Sequence, residues 1–136
     1  MVANTNPIFG LTPKNTWQTL TTGDASLGAL TTAGLIMTAG ADGSTLLRVF
    51  AKALGTNVAS VLRIFLNNAG VIGTAANNTL LKDFPLPGTT LSQVGQMSSD
   101  FELNFNLKVQ GAYKIYATLG TTVAAGWEIT AESVDF

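Results

Sequence analysis

The chain has 136 residues, enough for one domain with a single buried core. Hydrophobic residues make up 46% of it and charged residues only 11%, against about 25% in ordinary globular domains, and the net charge is −1. This composition argues against disorder and against attraction to nucleic acid or an anionic membrane, and the absence of histidine and cysteine removes disulfides, most transition-metal ligands and most nucleophile–base pairs.

Residues 1–15 carry Pro7 and Pro13, which restrict helix and interrupt a sheet ladder, yet Ile8, Phe9 and Leu11 lie among them. That combination predicts an extended N-terminal arm packed on its own domain or on a neighbour, followed by one β-sandwich domain over residues 16–136. The first strand is expected over 16–22. Residues 23–33 are rich in small residues and weakly periodic, hence loop. The apolar run 27–41 is interrupted by Thr31 and Thr32 and has only Lys14 upstream, so neither a secretory signal nor a membrane span is expected. A short strand is expected over 35–38. Asp42-Gly43 is a strong turn signal before a strand over 44–54. Strands over 58–67 and 79–86 flank a long loop, and Pro85 and Pro87 put the end of the second at a sheet edge.

The clearest alternation is Phe101, Leu103, Phe105, Leu107 and Val109 with Glu102, Asn104, Asn106 and Lys108 between them, which assigns the first set to the core face. Strands over 112–119 and 127–136 complete about eight short, evenly spaced strands with no amphipathic helix. The fold class is all-β: an antiparallel β-sandwich, jelly-roll-like, with the extended arm.

Period two also assigns the outward residues. With Leu62, Ile64 and Leu66 inward, Val61, Arg63 and Phe65 face out. With Leu47 and Val49 inward, Arg48, Phe50 and Lys52 face out, and with Tyr113 and Ile115 inward, Lys114 and Tyr116 face out. Basic and aromatic residues thus recur together, a pattern that can bind single-stranded nucleic acid. Glu102, Glu128 and Glu132 share the outer positions and neutralise it, and pairing of the last two strands would set Lys114 near Glu132. Direct nucleic-acid binding is therefore not expected. The low charge and the outward Phe50, Phe65 and Tyr116 instead mark a subunit, and with Ile8, Phe9 and Leu11 they form the candidate interface.

No constellation points to catalysis. Glu128 and Glu132 lie roughly 13 Å apart along a strand, too far for a typical glycosidase pair. Asp42-Gly43 lacks the acidic run of a calcium loop, and Gly70 and Gly73 lack the ending of a phosphate loop. Asn77-Asn78-Thr79 matches a glycosylation sequon of a kind frequent by chance in a chain that is about a quarter Thr, Asn and Ser. Trp127 beside Gly126 reads as a core anchor. No enzyme activity, cofactor or metal is expected.

The segments GADGSTLLRVFAKALGTNVASVLRIFLNNAG, NNTLLKDFPLPGTT and GAYKIYATLGTTVAAGWEIT, about two-thirds of the chain, resemble a group of small tailed-bacteriophage virion proteins. The resemblance implies a capsid decoration, or cement, protein made in the host cytoplasm. It implies a homotrimer on the outer capsid surface of the virion, bound to the major capsid protein and bridging capsomers. It offers no site residues to carry over. A receptor- or glycan-binding module of a phage tail fibre or head fibre is the alternative, using Tyr116 or Trp127 for stacking.

Overall fold

The computed structural model describes residues 10–96 and 100–136, and all statements below concern these. Eight strands run β1 (Thr12–Leu20), β2 (Gly34–Thr38), β3 (Ser44–Ala53), β4 (Ser60–Asn67), β5 (Asn78–Leu86), β6 (Asp100–Val109), β7 (Lys114–Leu119) and β8 (Trp127–Asp135), with a single 3-10 turn at Ala75–Asn77. They form two four-stranded antiparallel sheets, ordered β1-β8-β3-β6 and β2-β7-β4-β5. The expected β-sandwich is present. Every connection switches sheets except β4 to β5.

Alternating side chains of both sheets fill the space between them. Val49, Ala51, Leu103, Trp127, Ile129 and Ala131 from the first sheet meet Ile36, Leu62, Ile64, Ile115, Ala117 and Leu119 from the second in one buried cluster. Trp127 is fully buried, the anchor expected of it. Phe101 stacks on it at 6.1 Å and touches Phe84 at 4.9 Å, which ties β6 to β5 where the two sheets' edges meet. On β6 the predicted alternation holds: Phe101, Leu103, Phe105, Leu107 and Val109 belong to the core or pack against it, and the residues between them are exposed.

Three expectations change. β1 begins at Thr12, so Pro13 and residues 14–15, expected in the arm, pair with β8. Pro13 is tolerated because β1 is an edge strand. On β3 the register shifts between Leu46 and Arg48 against both neighbours, and Asn106 opposite adopts φ 49°. The irregularity flips the parity of the strand. Leu46, not Leu47, is therefore the core residue, while Val49 stays inward as expected. Finally, β7 and β8 lie in different sheets, so Lys114 aligns with Thr38 and Asn67 and is not the partner of Glu132.

Buried polar nodes fix the loops. Asn57 accepts from the Ala125 and Gly126 N–H groups at 2.9 and 2.8 Å and donates to the Gly126 carbonyl at 3.0 Å. Its backbone exchanges two hydrogen bonds with Thr89, at 3.1 and 2.9 Å. Gly126 has φ 98°, and a Cβ there would lie 3.0 Å from the Leu20 carbonyl oxygen, which explains the glycine. At the opposite end Asp135 accepts from the Ser44 hydroxyl and pairs with Lys14 at 3.3 Å. Those contacts, the Ser44 bond first, hold its carboxyl below the ordinary range despite some burial.

Candidate functional site

The outer face of the β1-β8-β3-β6 sheet is built by strand parity. Leu20 and Trp127 are paired and buried, which points Trp17 and Thr19 outward on β1. Trp17 is 60% exposed. Cross-strand register sets it in a row with Thr130, Phe50 and Glu102. The adjacent rows are Thr19, Glu128, Lys52, Asp100 and Asn15, Glu132, Arg48, Asn104.

Arg48 and Lys52 offset part of the charge of Asp100, Glu102, Glu128 and Glu132 on this face. Arg48 donates through Nε to Glu132 at 2.5 Å and through Nη1 to Glu102 at 2.8 Å, and its guanidinium lies 5.5 Å from the Phe50 ring centroid. The hydrogen bond to Glu132, then that to Glu102, pushes the guanidinium further toward its charged form. The Thr19 hydroxyl donates to Glu128 at 2.8 Å. Glu132 and Glu102 thus serve as cross-strand partners of Arg48, and Glu128 of the Thr19 hydroxyl. The result is a face bearing Trp17 at its rim and half-buried Phe50 near its middle, with Arg48 paired to two of its four carboxylates. Such a face can cover a partner's surface.

Trp17 escaped the sequence reading, although the signal was present. An inward Leu20 three residues on puts Trp17 on the opposite face of the same strand.

The other predicted outward aromatics are on the far side of the sandwich. Leu35, Tyr116, Phe65 and Leu80 form one row across the outer face of β2-β7-β4-β5. Phe65 does point away from the main core, but it is fully buried, and Tyr116 is half-buried. The cause is the segment 21–33. Asp24 N–H donates to the Leu119 carbonyl at 2.6 Å at one end of it, and Leu30 N–H donates to the Ile72 carbonyl at 2.9 Å at the other. Asn78 Nδ2 ties the Gly28 and Ile72 carbonyls together, each at 2.7 Å. Leu30, on this segment, is also fully buried and, like Phe65, lies outside the main cluster.

Asp24 organises the cover. Its carboxylate accepts from the N–H groups of Ser26, Thr31 and Thr32 at 3.0, 2.7 and 3.1 Å. Burial raises its pKa, but these bonds together outweigh burial and hold the carboxyl below its ordinary value.

The candidate interface residues are therefore not brought together. Phe50 lies on one outer face, Phe65 and Tyr116 on the other, and Leu11, 77% exposed, precedes the β1 edge. Ile8 and Phe9 lie outside the described residues. An open groove of about 230 Å³ beside the ends of β1 and β2 is lined by Gln18, Leu20, Thr21, Thr32 and Gly34 among others, all uncharged. The Asn77 side chain donates to the Val71 carbonyl at 3.1 Å, which gives the sequon a structural use. No group of three or more acidic residues that could hold a metal ion occurs among the described residues.

No protein-family model matches the chain, and no curated protein matches it. Among solved structures, the chain is similar to one described as "Cyanophage Pam1 capsid asymmetric unit", with 16% sequence identity and a TM-score of 0.44, over 100% of this chain and 94% of that one.

Proposed function

We propose that the protein is a structural component of a tailed-phage virion that binds the outside of the assembled capsid and stabilises it by bridging capsomers. In this reading it is a homotrimer, and the strand order β1-β8-β3-β6 with β2-β7-β4-β5 is that of a jelly roll. The observation that carries the binding role is the outer face around Trp17 and Phe50. Arg48 is already paired with Glu102 and Glu132 within the sheet and Glu128 is hydrogen-bonded by Thr19, so covering these groups leaves them with partners. An exposed tryptophan is the residue type most often found at the energetic centre of a protein contact. The three segments that resemble phage virion proteins support the same role. Repeated copies on a symmetric shell add avidity without a strong individual site, and contacts made only on the assembled shell stabilise that state by mass action.

Sedimentation with purified heads tests this. The wild-type protein co-sediments with assembled heads and not with unassembled capsid subunits, and Trp17→Ala weakens the binding while leaving the fold intact. The exposed Trp17 also favours one alternative, a glycan-binding module of a tail or head fibre, since an open indole can stack on a sugar ring. Quenching of Trp17 fluorescence by host-surface oligosaccharides, with no binding to heads, would support that alternative.

A further inference from the structure

Arg63 is a half-buried cation without a counter-charge. It sits on the outer face of β2-β7-β4-β5, where its Nη1 donates to the Asp24 carbonyl at a long 3.5 Å. Among the described residues it forms no ion pair. Asp83, its register partner on β5, is exposed, and the Asp24 carboxylate is taken by the N–H groups of Ser26, Thr31 and Thr32.

Two polar atoms at this place are buried and have no hydrogen-bond partner: Arg63 Nε and the Thr118 hydroxyl oxygen. Thr118 is fully buried and is the register partner of Arg63 on β7. Side chains paired in this way on one sheet face stand about 5 Å apart at Cβ. Ala117, Leu119, Leu62 and Ile64, the neighbours of the pair along their strands, fill the core, so both side chains share the outer face beside the Asp24 segment. Gly120 keeps room at the guanidinium, since a Cβ there would lie 3.2 Å from Nη1.

We propose that the Arg63 Nε–H and the Thr118 hydroxyl bind a small inorganic monoanion of the halide class. The guanidinium can only donate and the hydroxyl can donate too, so one acceptor between them satisfies both. Charge favours an anion over water, because a hydrogen bond between ionised partners is about twice as strong as a neutral one and this guanidinium has no carboxylate of its own. Size favours a halide, because both atoms are closed off from solvent, and a single atom reaches them more readily than a carboxylate or phosphate group. Bound there, the ion holds the guanidinium beside the Asp24 carbonyl and braces the segment 21–33 over Phe65. The site lies on the face opposite Trp17 and is independent of the capsid reading.

Bromide is the probe. Melting of the full chain is followed as bromide replaces gluconate at fixed ionic strength and fixed protein concentration, and crystals grown in bromide are measured at the bromine absorption edge. The wild-type melting temperature should rise saturably, by about 5 °C once bromide stands tenfold above its dissociation constant, with an anomalous peak within hydrogen-bond reach of both atoms. Thr118→Val keeps the side chain's shape and removes the hydroxyl. It should melt no lower than wild type in gluconate and need about tenfold more bromide for the same rise. Arg63→Met should show no saturable rise. Equal responses of wild type and both variants would mark a general salt effect and overturn the proposal, and so would a site that holds water only, with no anomalous peak. Should Arg63→Met fail to fold, the bromide dependence of Thr118→Val decides.

Discussion

Phe65→Ala separates the two places this side chain could occupy. Simple strand alternation puts it on an open outer face, where truncation costs within about 0.5 kcal/mol. The structure buries it completely beneath the segment 21–33, with Tyr116 and Leu80 beside it in register. Truncating a buried Phe removes its transfer energy and leaves a cavity, together about 3–5 kcal/mol. A chain of this length has an unfolding entropy of about 0.29 kcal/mol/K near its midpoint, so the loss corresponds to about 10–17 °C in melting temperature. Differential scanning calorimetry at two well-separated concentrations measures the shift and separates it from the concentration dependence that oligomer loss would introduce. A fall of less than about 3 °C, confined to the lower concentration, would refute the burial argument and return Phe65 to an intersubunit contact.

Other substitutions probe the rest of the scaffold. Asp24→Asn should lower stability by about 1–3 kcal/mol, because an amide cannot serve the N–H groups of Ser26, Thr31 and Thr32 as the carboxylate does. Since the folded carboxyl titrates below its ordinary value, its contribution is complete above the unfolded carboxylate range, about pH 4, and is lost as pH falls through the folded value. The gap between Asp24→Asn and wild type should therefore narrow below about pH 4 in acid denaturation. Asn57→Ala strips the buried Gly126 N–H and the part-buried Ala125 N–H of their acceptor and should cost about 1–3 kcal/mol for each one left unsatisfied, read from urea denaturation. Phe105→Ala should destabilise clearly more than Asn104→Ala, since Phe105 packs against the core and Asn104 is exposed; equal thermal shifts would mean the faces of β6 are reversed.

Much of the fold was legible because strand period and turn residues are local signals. Asp42-Gly43 marked a real turn, with Gly43 at φ 94°, and the alternation from Phe101 to Val109 gave the core face of β6 directly. The failures come from non-local events. Nothing near Leu46 and Leu47 announces a register shift that is defined by two partner strands, so the inward residue was misassigned by one. The expected proximity of Lys114 and Glu132 failed because consecutive strands switch sheets.

The candidate site was less legible for the same reason. Parity correctly turned Phe65 away from the main core, but exposure also depends on what covers a face. Here a segment from elsewhere in the chain does so, through Asp24, Leu30 and the carbonyls held by Asn78. Trp17 is legible only once Leu20 is known to face inward, because residues 16–22 alone do not say which face of the strand is buried.

The most direct test of the central claim is co-sedimentation of the wild-type protein and Trp17→Ala with purified, DNA-filled heads, with circular dichroism confirming that both are folded. The account predicts saturable wild-type binding in a fixed ratio to the major capsid protein, weakened for Trp17→Ala by tenfold or more if that residue supplies about 1.4 kcal/mol of the contact. No binding of the folded wild-type protein to heads would contradict the claim that it is a capsid-binding component of the virion.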